Sequence, residues 1–205
     1  MQSDNQIKVF SLLLSFTILL LGGCGGNDLP KLDQGALVLA FGDSLTYGYG
    51  AELSESYPAV LAGLCSCEVI NAGISGETTE EGLERFVDVL DQHQPSLLIL
   101  MEGGNDILRN NTVSTKANLS KMIEISQLNN ISVVLIGVPE KNLFSKSAPL
   151  YRELAEEYEL VFEDELLSTL LKNPRYKSDS VHLNREGYAR FAENIFDLLK
   201  TNGAF

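Results

Sequence analysis

Five short apolar runs, at residues 37–41, 68–72, 96–101, 132–137 and 160–162, alternate along the chain with stretches whose apolar residues recur at helical spacing. The helical stretches lie at 54–64, 78–90, 115–128 and 148–158, and a last one at 185–200 follows Asn184, a suitable N-cap. Runs this short, bounded by glycine, proline or polar residues, read as strands. Strands that alternate with helices can close their backbone hydrogen bonds only by right-handed crossovers, which gives one parallel sheet covered on both faces. The expected architecture is therefore a three-layer α/β fold with a five-stranded parallel sheet and helices on both faces, occupying residues 36–205 as one domain. In such a sheet ligands bind beyond the carboxyl ends of the strands, so chemistry is expected just after the first three.

The beginning of the chain follows different rules. After a polar start whose only basic residue is Lys8, residues 9–21 are apolar and end in Leu21-Gly22-Gly23-Cys24. The run is too short to span a bilayer comfortably and has the form of a secretory signal peptide. Its end resembles the lipobox of bacterial lipoproteins, which implies a signal peptide over 1–23, lipidation of Cys24 and membrane attachment outside the cytoplasm. Gly25 is not the aspartate associated with inner-membrane retention, so a cell with two membranes would place the protein on the outer one, facing the periplasm. Residues 24–35 read as a flexible tether. An oxidising compartment would permit a disulfide between Cys65 and Cys67, but one residue apart on an extended strand they would lie near the limit of bridging distance, so they read first as two small buried side chains with their redox state open.

Composition narrows the function. With 15 Lys and Arg against 28 Asp and Glu the net charge is −13, and no basic cluster interrupts it. The electrostatic footprint of a nucleic-acid partner is missing. Three cysteines and two histidines without zinc-like spacing offer no metal site. No Gly-x-Gly-x-x-Gly or Gly-Lys-Ser/Thr motif supports a nucleotide cofactor.

The junctions after the first three strands read G-D-S-L, N-A-G-I-S-G-E-T-T and E-G-G-N-D. Ser44 in the first is a poor nucleophile unless a base sits beside it. His93 precedes the third strand, at the amino edge of the sheet and the wrong end for this work. His182 lies in a loop before the closing helix with Asp179 three residues upstream, where a carboxylate can turn back onto the imidazole and hold its tautomer. Asp43 reads as a brace for the turn at Ser44, and Asp106 as a cap for the segment that follows it.

Taken in order, G-D-S-L, the glycine of N-A-G-I-S-G, the asparagine of G-G-N-D and the D-x-x-H near the end resemble the SGNH, or GDSL-type, hydrolases. The wording is closest to bacterial lysophospholipase, thioesterase and arylesterase members. The resemblance implies a cofactor-free serine esterase working on a small ester through an acyl-enzyme. Ser44 would be the nucleophile, His182 the general base and then acid, and Asp179 its orienting partner. An oxyanion hole would come from the Ser44 and Gly76 N–H groups and the Asn105 amide. Ile107, Leu108, Val138, Leu143 and Phe144, on the loops after strands three and four, would hold the acyl chain. Two departures stand out: G-G-N-D is followed by I-L-R-N, where Asn110 must supply a positive φ, and segment 139–149 is short, which points to short or medium acyl groups. Carbohydrate deacetylation and non-catalytic binding stay open as alternatives.

Overall fold

The computed structural model describes residues 28–33, 35–141 and 146–205. The chain runs β1 (Leu37–Gly42), α1 (Ser44–Tyr47), α2 (Tyr57–Cys65), β2 (Glu68–Gly73), α3 (Thr79–His93), β3 (Leu97–Met101), α4 (Gly104–Leu108) and α5 (Thr115–Leu128). It continues with β4 (Ser132–Ile136), α6 (Pro149–Glu157), β5 (Val161–Glu163), α7 (Leu166–Lys172) and α8 (Arg185–Thr201). The five strands form one parallel sheet in the order β2-β1-β3-β4-β5. Winding reverses at β1, which sends α2 to one face with α8 and places α3, α5 and α6 on the other. The reversal opens a crevice between the carboxyl ends of β1 and β3.

Hydrophobicity explains the layering. Every residue of β3 is buried, as are Val38, Leu39, Ala40 and Phe41 of β1, because helices cover both faces of the central strands. The edge strand β2 is only half-buried. Helix α3 begins with a reciprocal cap, in which the Thr78 N–H donates to the Glu81 carboxylate and the Glu81 N–H to Thr78 Oγ1. At α8 the expected cap is present: Asn184 Oδ1 accepts from the Gly187 N–H at 2.9 Å.

Two local features differ from the sequence-based expectation. Cys65 and Cys67 form a disulfide, with their Cα atoms 5.1 Å apart. They do not share a strand: Cys65 ends α2, and Ser66 adopts a left-handed conformation at φ 53° that folds the two side chains together. Nor is the whole of 24–35 free. The Leu29 N–H donates to the Asn202 carbonyl at 2.7 Å and the Leu32 N–H to the Ala204 carbonyl at 2.9 Å, and Leu29 is buried. Cys24 and the signal segment lie outside the described residues.

The crevice depends on close approach of β1 to β3. A Cβ on Gly42 would stand 1.9 Å from the Met101 carbonyl oxygen and 2.5 Å from Thr46 Oγ1. Gly63, within α2, has nothing within 4 Å of its Cβ position. Gly42→Ala should therefore destabilise by several kcal/mol or prevent folding, as overpacking against backbone does, while Gly63→Ala should stabilise by about 0.5–1 kcal/mol. Urea denaturation of the two variants checks this contrast, and comparable midpoints would contradict it.

Candidate active site

The site is assembled where β1 and β3 end. Ser44 is the first residue of α1, set there by Asp43, whose Oδ1 accepts the Leu45 N–H at 3.0 Å as an N-cap. His182 arrives from the far end of the chain, on the loop before α8. That loop is tightly closed. Asp179 Oδ1 accepts the N–H groups of Val181 at 2.8 Å and His182 at 2.9 Å, and the Ser178 N–H donates to the His182 carbonyl at 3.0 Å. Ser44 Oγ stands 3.0 Å from His182 Nε2, and His182 Nδ1 stands 2.8 Å from Asp179 Oδ2.

An ionised Asp179 selects the tautomer of His182. A carboxylate can only accept, so Nδ1 carries the proton toward Asp179 and the Nε2 lone pair faces the serine hydroxyl. Burial pushes the Asp179 carboxyl up, but the Val181 and His182 N–H groups and the imidazole outweigh it and hold the group below the usual aspartate range. It stays ionised opposite the ring. The arrangement can deprotonate a serine and stabilise the imidazolium that results.

Ser44 and Asn105 line the crevice, and Gly76 stands beside them on the loop after β2. Among the described residues neither the Ser44 N–H nor the Gly76 N–H has a protein acceptor. Gly76 has φ +85°, which a side chain would strain, and Arg109 donates to its carbonyl at 2.8 Å. The Asn105 side-chain amide donates one proton to the Glu77 carbonyl at 2.9 Å, which fixes its plane and leaves the second proton for a ligand. Glu77 is itself held by Arg85, which also donates to the Ala72 carbonyl at 2.9 Å and lies 4.0 Å over the Phe41 ring. Asn110 has φ 56°, the conformation the loop after G-G-N-D required. Asp106 joins elements: it accepts from the Thr79 N–H and hydroxyl and from the Thr115 hydroxyl, tying the starts of α3 and α5 to α4.

A cavity of about 410 Å³ opens from Ser44 and His182. Ile107, Leu108 and Val138 line it, while Leu143 and Phe144 lie outside the described residues. Its wall also includes Leu45, Leu167, Leu171 and Val181, which sequence reasoning passed over. Leu167 and Leu171 belong to α7, a helix of seven residues, fewer than two turns and too short for its apolar periodicity to stand out in the sequence. A second omission is Tyr49, whose ring lies 4.5 Å from that of His182 and whose carbonyl accepts from Tyr188. His93 ends α3 at the opposite edge of the sheet. Among the described residues no cluster of His, Cys, Asp or Glu is placed to hold a metal ion.

Comparison with known proteins decides the family. The model of the GDSL-like lipase/acylhydrolase family matches residues 40–190. The chain belongs to this family. An arylesterase of Vibrio mimicus is 33% identical over 202 residues, covering 93% of this chain and 96% of the relative. The crystal structure of AlinE4, an SGNH-hydrolase family esterase, superposes with a TM-score of 0.64 at 33% identity over 83% of this chain and 98% of the other. The uncharacterized lipoprotein YqeF of Bacillus subtilis is 35% identical over 104 residues, 46% of this chain and 40% of the relative. The protein is a GDSL-type serine ester hydrolase, and its nucleophile is sought in the crevice described above.

Behind Ser44 the acid Asp43 is almost wholly buried, and desolvation raises its carboxyl to about 6 despite the opposing Leu45 N–H and the nearby His182. A folded-state value above that of the unfolded chain means that the folded protein binds the extra proton. Its contribution to stability is thus lost as pH rises from about 4 to about 6, by up to ~3 kcal/mol. Asp43→Asn cannot ionise, so its melting temperature relative to the parent should climb across that interval and level off above it. A pH-independent offset between the two proteins would refute the assignment.

Proposed function

We propose that Ser44, His182 and Asp179 are the catalytic triad of this esterase and that the Ser44 N–H, Gly76 N–H and Asn105 amide form its oxyanion hole. The observation that carries this is the unbroken path from Ser44 Oγ through His182 to Asp179. Ser44 Oγ attacks the ester carbonyl as its proton passes to Nε2, and the charge on the carbonyl oxygen settles among the three donors. The tetrahedral intermediate collapses, the alcohol leaves with the proton from His182, and the acyl group stays on Ser44. Water enters, gives its proton to His182 and repeats the sequence, releasing the carboxylic acid and restoring the serine.

The cavity supports short to medium acyl esters as substrates. Its wall beside Ser44 is apolar, and each methylene buried there contributes about 0.8 kcal/mol. Buried Leu167 and Leu171 close it on the α7 side, and exposed Glu140 and Lys141 end the apolar lining at the rim. The protein's place, in this reading, is outside the cytoplasm on a lipid carried by Cys24, supported by Leu21-Gly22-Gly23-Cys24 and by the similarity to a lipoprotein. Gly25 favours the outer membrane where there are two.

Two experiments test these assignments. Ser44→Ala and His182→Ala should lower turnover of an aryl ester by about 10⁴ or more, and Asn105→Ala by roughly 10²–10³. A folded Ser44→Ala with near-parental activity would refute the triad. Across p-nitrophenyl esters kcat/KM should peak at short or medium length, and Leu171→Phe should move the peak to shorter chains. Values still rising at palmitate, measured below micelle formation, would reject the closed cavity in favour of a lysophospholipid-like substrate.

A further inference from the structure

Residues 28–33 are seated at the end of the domain opposite the catalytic crevice. Asp28 and Leu29 border a groove with Ser132 and Val161, the starts of β4 and β5, and residues 30–33 with Gly35 and Ala36 line another beside Pro95 and Ser96, just before β3. All five strands are parallel, so these positions mark the amino edge of the sheet, whereas Ser44 and Asn105 follow the carboxyl ends of β1 and β3. Helix α8 measures the separation. It begins three residues after His182 and ends at Thr201, beside the Asn202 and Ala204 carbonyls that accept from Leu29 and Leu32. Its 17 residues span roughly 25 Å at 1.5 Å each.

The tether is shorter than that. From Cys24 to Leu29 is five residues, roughly 18 Å when fully extended. For the crevice to meet the anchoring leaflet, the tether would have to run back past the whole length of α8, and it cannot. We infer that the seat of Leu29 and Leu32 on the end of α8 holds the catalytic mouth away from the protein's own membrane, so that its substrates are esters arriving dissolved in water and not lipids of the leaflet that anchors it. The inference rests on lipidation of Cys24 as proposed above. Were the seat to be lost, the free tether would run to Leu37 and reach roughly 45 Å, long enough to turn the mouth over.

The test uses the lipidated full chain in phosphatidylcholine vesicles containing a lipid with a nitroxide on its headgroup. One fluorophore is placed on Ser44 through a fluorophosphonate and, in a separate sample, another on Gln127→Cys, an exposed position beside Asp28 and Leu29. The Gln127→Cys probe should be quenched several-fold more than the Ser44 probe. Inserting twenty Gly and Ser residues between Gly26 and Asn27 should raise quenching at Ser44. Equal quenching at the two sites in the native-length chain, or an insert without effect, would overturn the inference. Failure of the lipoprotein reading looks different: the protein would stay off the vesicles and carry no lipid on Cys24 by mass spectrometry. Absence of Ser44 labelling would instead refute the triad.

Discussion

The pairing of β1 with β3 is the constraint on which the rest of this molecule depends. These two central strands run side by side in register, with Gly42 opposite Met101, and the chain leaves them in adjacent loops. That adjacency brings Asp43 and Ser44 against Gly104 and Asn105, residues sixty positions apart in sequence. It also sets the direction of winding, since β2 lies on one side of β1 and all later strands on the other. Helices over each face then bury both sides of the two strands, and the crevice opens beyond their carboxyl ends.

Around the crevice the polar groups are supported in successive layers. Asn105 is held by the Glu77 carbonyl, Glu77 by Arg85, and Arg85 by stacking on Phe41 of β1 itself, so the loop after β2 is braced back onto the strand that leads to Ser44. Asp106 fastens α4 to the starts of α3 and α5. Two other acids pack close behind. Glu102 is fully buried with one oxygen lacking a partner among the described residues, and desolvation, reinforced by the charges of Asp43 and Glu77, drives its carboxyl well above the ordinary range. The acids beneath the site thus differ in their surroundings: Glu102 has an oxygen without a partner among the described residues, Glu77 is paired with Arg85, and Asp43 caps α1.

Much of this was legible from the chain alone, for identifiable reasons. The central strands could be read because residues covered on both faces show an unbroken apolar run, and Leu97 to Met101 admit no other explanation at that length. Ser44, Gly76, Asn105 and the Asp179–His182 pair stood out because each sits at a strand exit or turn whose backbone demands small or polar residues. What could not be read depends on short elements or on three-dimensional closure. Helix α7 is only seven residues long, fewer than two turns, so its leucines never repeat often enough to show a helical period. Tyr49 carries no motif, and only the fold lays it on His182. The disulfide required knowing that Ser66 would turn left-handed between two cysteines that an extended chain would keep apart. Residues 28–33 looked like linker because two backbone hydrogen bonds and one buried leucine leave almost no trace in composition.

The meeting of the two chain ends has a practical side. Leu29 and Leu32 bond to Asn202 and Ala204, so the last described residues at both ends emerge side by side on the face opposite the crevice. A polymer bead or electrode coupled after Phe205 would thus hold every molecule with its cavity turned toward the liquid. A few-residue loop could also join the two ends, letting the chain be reopened elsewhere on the surface without disturbing the sheet.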